Sequence, residues 1–194
     1  MELTVIDSGS QANCFILDAG NSALVLECGV SFKRMLQAVD FNIQKIEGVL
    51  LTHEHQDHSK FAYTYAMRGL KVYGSYNTLS NLTRSHNYRP LQKQKAYSIG
   101  QFKVMPFEVK HDAADPVGYY INHPKLGNVL FAIDTAYISY RFKNMNHVII
   151  EANYDADIID ENVRNGSIEP FVRNRILKNH MAINTLREML RKND

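Results

Sequence analysis

Three histidines and an aspartate, His53, His55, Asp57 and His58, stand within six positions directly after the apolar triplet Val49-Leu50-Leu51. Such a segment has to end a buried strand at a water-accessible edge, because the triplet belongs in a core and the four polar groups do not. Extended backbone sends residues i and i+2 to the same side, so His53 and His55 can converge on one point. Asp57 and His58, one turn further on, can address a second point close by. Imidazole with carboxylate, and no thiolate beside them, is a donor mixture that Zn²⁺, Mn²⁺ or Fe accepts.

The remaining pattern is one of short apolar runs cut by turns. Strands are expected over residues 3–6, 14–17, 23–26, 49–51, 72–73, 96–99, 102–109, 117–121, 129–133 and 148–150. Helices are expected over 32–39, with Ser31 as N-cap, and over 61–67 and 76–82. From Ile158 onward the pattern is helical, with Leu186, Met189 and Leu190 on one face. No repeat, low-complexity tract or linker interrupts the chain, so sheets covered by helices in one domain over residues 1–194 are expected.

Three further candidate ligands fall where a predicted element meets a loop, the usual place for site residues on a rigid scaffold. His111 follows the 102–109 strand, Asp134 ends the 129–133 strand, and His180 follows Ile176-Leu177. Taken singly, Asp134 reads equally well as a loop-starting turn residue. His86, His123 and His147 are read as surface or hydrogen-bonded histidines.

Charge and composition narrow the setting. No apolar run approaches the ~20 residues of a membrane span, and MELTVIDSGS has no basic segment followed by a long apolar one. Two cysteines, Cys14 and Cys28, are too few for a disulfide framework. A cytoplasmic protein without membrane association is expected. The net charge of +2 names no partner, but its distribution is uneven. From Lys60 to Lys110 there are nine Lys/Arg and one acid, Glu108, a local excess of +8. Tyr63, Tyr65, Tyr73, Tyr76, Tyr88 and Tyr97 interleave with those cations. This composition suits a polyanion, through phosphate neutralisation and base stacking, and equally an ordinary solvated face over core tyrosines.

The H-x-H-x-D-H segment with later His, Asp and His resembles the metallo-β-lactamase fold superfamily. Within it, Ser8-Gly9-Ser10-Gln11-Ala12-Asn13-Cys14 resembles the S-G-S-x-x-N loop of the YycJ/WalJ-type exonuclease branch. So does His111-Asp112-Ala113-Ala114-Asp115-Pro116-Val117-Gly118-Tyr119. Ala132-Ile133-Asp134-Thr135-Ala136-Tyr137 and Glu151-Ala152-Asn153-Tyr154-Asp155 follow in that branch's order. The resemblance implies an α+β fold, a four-layer αβ/βα sandwich of two mixed β-sheets flanked by helices. It implies two divalent metal ions (Zn²⁺ or Mn²⁺, or Fe), one on His53, His55 and His111 and one on Asp57, His58 and His180. Asp134 would bridge them, and Asp57 and Asp134 would be the catalytic carboxylates.

Two ions about 3.5–4 Å apart would share a hydroxide able to attack phosphorus in line. Ser10, Asn13 and Asn153 are candidates for holding phosphate oxygens or orienting ligands, against simple turn-forming roles. The activity implied is a phosphodiesterase acting on nucleic acid, DNA before RNA, in the manner of an exonuclease. The alternatives are a small-molecule metallo-hydrolase of thioesters, lactones or cyclic nucleotides, and a non-catalytic nucleic-acid-binding module. Three positions depart from the branch pattern. Glu27-Cys28-Gly29 stands where Asp-x-Gly is usual, Tyr154 replaces a frequent histidine, and Asn179-His180-Met181 lacks a glycine before the last ligand.

Overall fold

Two mixed sheets face each other, and the strand-to-loop boundaries at their shared edge carry the polar cluster. The structure, a computed structural model, describes residues 2–193. The first sheet runs in chain order through β1 (Glu2–Asp7), β2 (Cys14–Asp18), β3 (Ala23–Leu26), β4 (Ile46–Leu50), β5 (Val72–Ser75) and β6 (Tyr88–Leu91). The pairings β1/β2 and β2/β3 are antiparallel, and β3 to β6 are parallel. Parallel neighbours need crossovers, and helices supply them. These are α1 (Phe32–Ala38), then α2 (Gln56–Ser59) with α3 (Ala62–Met67), then α4 (Tyr76–Ser80). Ser31 and Ser75 cap α1 and α4, accepting from the backbone N–H groups of Arg34 and Thr78.

The second sheet has the order β11 (His147–Ile150), β10 (Gly127–Ala132), β9 (Val117–His123), β8 (Phe102–Glu108), β7 (Tyr97–Ile99). It is antiparallel apart from the β10/β11 pair. Helices α5 (Ala156–Arg164), α6 (Pro170–Asn179) and α7 (Ile183–Lys192) follow it.

Burial on both faces of the central strands explains their continuous apolar runs. In β3, Ala23 and Val25 face the helices while Leu24 and Leu26 face the opposite sheet. In β10, Val129 and Phe131 meet that inner layer, and Leu130 and Ala132 turn outward toward Phe142, Met181 and Met189. Phe15, Leu17 and Leu50 from the first sheet pack with Phe102, Tyr119 and Phe131 from the second. Side chains of this size contribute about 1.5–3 kcal/mol each on full burial, so the inner layer locks the two sheets together.

Three expectations need adjustment. Strand β6 was not expected, because Pro90 and Arg89 dilute its apolar pattern; as the edge strand it tolerates a proline. The helical stretch after Ile158 is three helices, broken where Gly166 takes a positive φ of 77° and Pro170 starts α6. Leu190, expected on the buried face with Leu186 and Met189, is 39% exposed. Among the described residues no helix is long and apolar enough to cross a membrane.

Candidate metal centre

Each residue of the cluster is delivered by an element end. β4 stops at Leu50, and His53 follows with its ring buried and its Nδ1 2.9 Å from Thr52 Oγ1. His55 is the residue before the short helix α2, which carries Asp57 and His58. From the second sheet, β8 leads to His111, β10 leads to Asp134, and β11 leads to Glu151. His180 ends α6. Asp134 has φ of 51°, a left-handed conformation that a non-glycine residue adopts only where the surroundings enforce it.

These side chains converge. The Nε2 of His58 lies 2.9 Å from Asp134 Oδ2 and 3.1 Å from Asp57 Oδ2. His111 Nε2 lies 3.2 Å from His55 Nδ1 and 3.9 Å from Asp134 Oδ2. The Nδ1 of His180 is 2.9 Å from Glu151 Oε2 and 3.9 Å from Asp134 Oδ1. Three sets offer donor atoms within 4.8 Å of one another: His53, His55, His111; His53, His58, Asp134; and Asp134, Glu151, His180. Asp57 touches His58 but belongs to none of the three.

The donor chemistry fits divalent cations. Among the described residues, His53 Nε2 and His58 Nδ1 are buried without a hydrogen-bond partner, an arrangement that would be costly in the absence of a further ligand. Burial first, then the neighbouring imidazoles of His58, His111 and His55, hold the His53 pKa well below its usual value, so its lone pair is free. Burial likewise lowers His111. Its Nδ1 donates to the Asn179 carbonyl at 3.1 Å, which leaves Nε2 as the acceptor facing the cluster. Burial would raise the Asp134 carboxyl, but the hydrogen bond and charge of His58 outweigh it and hold the group below the usual range. Burial works against charge on His58 too. The hydrogen bonds to Asp134 and Asp57, with the nearby charge of Glu27, prevail, and its pKa is raised well above the ordinary histidine value. A point where three carboxylates concentrate negative charge is a point where a cation is favoured.

The supporting groups are mostly backbone and buried acid. Glu27, fully buried, accepts from the Thr52 N–H at 3.3 Å and lies 3.6 Å from His58 Nδ1. It occupies the place where the branch pattern has aspartate. Asn13 is 6% exposed, and its amide nitrogen reaches Gly9 O at 3.0 Å, Asp57 Oδ2 at 3.2 Å and His58 Nε2 at 3.1 Å. Ser10 and Asn153 lie exposed on loops. Glu151, which shares a donor set with Asp134 and His180, was not among the expected site residues. The signal for it was available, since it follows β11 as Asp134 follows β10.

Two face-to-face mixed sheets with this cluster at their edge define a metal-dependent hydrolase of the metallo-β-lactamase fold. The family described as Beta-lactamase superfamily domain matches residues 14–191, and the chain belongs to it. The chain is 28% identical over 191 residues to Exodeoxyribonuclease YycJ of Bacillus anthracis, covering 91% of this chain and 70% of that protein. It is 27% identical over 190 residues to Exodeoxyribonuclease WalJ of Streptococcus pneumoniae, covering 90% and 69%. The crystal structure of the metallo-β-lactamase fold protein YhfI from Bacillus subtilis superposes with a TM-score of 0.67 at 17% identity. It covers 93% of this chain and 76% of that one.

Proposed function

We propose that the chain is a two-metal phosphodiesterase acting on DNA, in the manner of an exonuclease. The observation that carries this reading is Asp134, whose carboxylate is common to the second and third donor sets, while His53 is common to the first and second. In the assignment that the family resemblance implies and we favour, His53, His55 and His111 would hold one ion, Asp57, His58 and His180 would hold the other, and Asp134 would be common to both. Divalent ions bound there supply Lewis acidity, neutralising phosphate charge and lowering the pKa of water.

The chain's own groups set the geometry. The Asn179 carbonyl fixes the tautomer of His111, and the Asn13 amide clamps the Asp57 carboxylate against His58. The Asp57 and Asp134 carboxylates, whose Oδ2 atoms lie 3.1 and 2.9 Å from His58 Nε2, would be the groups available to accept a proton during phosphodiester cleavage. Glu151 Oε2 lies 2.9 Å from His180 Nδ1, the same nitrogen that lies 3.9 Å from Asp134 Oδ1. Asn13 acts in this reading by orienting ligands, and exposed Ser10 and Asn153 are left as the substrate-facing candidates. DNA is favoured as substrate by the names of the two relatives and by the excess of cations between Lys60 and Lys110.

The test is cleavage of end-labelled single- and double-stranded DNA in Mn²⁺ or Zn²⁺, with His55→Ala and Asp134→Ala as variants. Metal-dependent release of nucleotides that both variants abolish is the expected result. A wild-type protein that binds metal and cuts no DNA with either ion overturns the reading, and hydrolysis confined to small esters points to the small-molecule alternative.

A further inference from the structure

A groove of about 350 Å³ lies between α4 and the edge strand β6, away from the metal cluster, with Tyr76, Leu79, Arg84, His86, Tyr88 and Pro90 among its walls. We propose that it is a subsite for one base and the adjoining phosphate of the DNA strand, beyond the phosphodiester being cut. The proposal deepens the nuclease reading above and rests on it.

Position is the first argument. Strands β4, β5 and β6 are parallel, so the ends of β5 and β6 reach the same edge as the end of β4, from which His53 departs. Tyr76 is the first residue of α4, directly after β5, and Pro90 pairs with Gly74 near that edge. Tyr88 pairs with Val72 lower down, so the groove leads from the site edge along the side of the sheet. Helix α4, which forms one wall, is tied to the loop that follows His111. Thr78 Oγ1 donates to the Asp115 carbonyl at 3.4 Å, and the Ala114 N–H donates to Glu54 Oε1 at 2.7 Å. The loop that carries His111 is thereby tied both to α4 and to the segment that carries His55.

Surface chemistry is the second. Tyr76 is 70% exposed and contributes nothing to the core, whereas Leu79 beneath it is buried and forms an apolar floor. An exposed ring over such a floor is suited to stacking with any base, since every base presents a π-face. The volume is at the lower end of the range for small-molecule sites and suits a single base.

Charge is the third. Between His58 and Phe107 the chain has eight Lys/Arg and no Asp or Glu, so a bound polyanion meets no acid from this stretch. Two nearby cations are already committed. Arg89 Nη1 donates to the His86 and Tyr88 carbonyls, and Lys93 pairs with Asp115 at 2.6 Å. Arg84, exposed and on the groove wall, takes part in none of the Lys/Arg ion pairs among the described residues. It is the cation available for a phosphate.

The test uses the full chain with Tyr76→Ala and Arg84→Gln, whose exposed positions leave the fold intact, as thermal melting will verify. A fluorescent single-stranded oligonucleotide of about 12 nucleotides is titrated in EDTA and followed by anisotropy, which reads binding without turnover. Tyr76→Ala should weaken binding about tenfold. Arg84→Gln should lower the slope of log K against log[salt] by about 0.7, the share of one phosphate contact on a single strand. With metal restored, the ratio of kcat/KM for the oligonucleotide to that for bis(p-nitrophenyl) phosphate should fall about tenfold in Tyr76→Ala. Affinity and salt slope equal to wild type in both variants overturn the groove, and if DNA is still cut the nuclease reading stands without it. If DNA is bound and not cut by the wild type, the nuclease reading falls, and the groove is judged on anisotropy alone.

Discussion

Gly29→Ala should disable the metal centre without touching any metal-binding side chain. A Cβ at Gly29 would overlap the Asp57 carbonyl oxygen and sit 2.5 Å from Asn13 N and 2.8 Å from Asn13 O. All of these are backbone atoms, which have no flexible end to swing aside. Here three chain segments cross. The Asn13 N–H donates to Asp57 O at 2.7 Å, the Gly29 N–H to Asn13 O at 2.9 Å, and the Cys28 N–H to His58 O at 2.7 Å. Relieving the overlap means moving the Asp57-His58 backbone by about 1 Å, a displacement that can cost roughly 100-fold in rate. If the first two hydrogen bonds break, leaving buried groups unpaired at about 1–3 kcal/mol each, stability falls by about 2–6 kcal/mol. For a chain of this size that lowers Tm by roughly 2–4 °C per kcal/mol. Metal content by elemental analysis, DNA cleavage and a melting curve are the assays. Gly69→Ala is the control, since Gly69 has φ of 94° and open space around it, so it pays only backbone strain of about 1–2 kcal/mol. Gly29→Ala with wild-type metal content and a melting point above that of Gly69→Ala would refute the crossing-point reasoning.

Other substitutions probe other layers. Tyr119→Phe removes the hydroxyl that donates to the Leu51 carbonyl at 2.6 Å, leaving that buried acceptor unpaired; a loss of about 1–3 kcal/mol in chemical denaturation is expected, and an unchanged midpoint would contradict it. Glu27→Ala removes the acid behind His58 and Thr52 and should weaken metal binding about 10–100-fold, read by competition with a chromophoric chelator. The Cys14 thiol is pushed up to about 12, chiefly by burial and against a hydrogen bond to Tyr65. In the unfolded chain it ionises near the usual value of 9.0, so its contribution to stability is complete below that pH and is lost as pH rises toward 12. Denaturation midpoints across that window should fall. Thiol reagents at pH 8 should label Cys14 only as fast as the chain unfolds, and rapid labelling of the folded protein would contradict its burial.

What could be read from the sequence was whatever is local. His53, His55, Asp57 and His58 are neighbours in the chain, so spacing alone brought them to one place, and the apolar triplet before them marked the strand end. Asp134 and His111 carried the same strand-end signature, but their meeting with the first group depends on how two sheets dock, which the resemblance supplied and periodicity did not. Glu151 has that signature too, after Val148-Ile149-Ile150, yet an isolated acid after a strand has no local partner to single it out. Asn13 was a candidate for orienting ligands, but the backbone crossing it makes with Gly29 and Asp57 was illegible for a different reason. The backbone of Asn13 meets that of Asp57 and Gly29, and backbone atoms leave no trace in residue type. Strand β6 was hidden by Pro90 and Arg89, which dilute its apolar pattern, and the edge position that tolerates the proline is a property of the whole sheet.

The docking of the sheets is therefore a functional quantity as well as a structural one. His53, His55 and His58 come from the first sheet, and His111, Asp134 and Glu151 from the second. Two hydrogen bonds cross between them just below the cluster, from Tyr119 Oη to Leu51 O at 2.6 Å and from Val117 N to Thr52 O at 3.1 Å. Both end on the residues that immediately precede His53. A shift of one sheet against the other moves the His53 ring relative to Asp134, which lie 3.8 Å apart at Nε2 and Oδ2. The large buried side chains of the inner layer, Phe102, Tyr119 and Phe131 among them, thus hold the spacing of the donor sets at a distance. Trimming one of them, as in Phe102→Ala at a cost of about 3–5 kcal/mol, should weaken metal binding along with stability, although Phe102 touches no member of the cluster. A variant that melts lower but binds metal with unchanged affinity would show that the site edge is held by its own hydrogen bonds and not by the core beneath it.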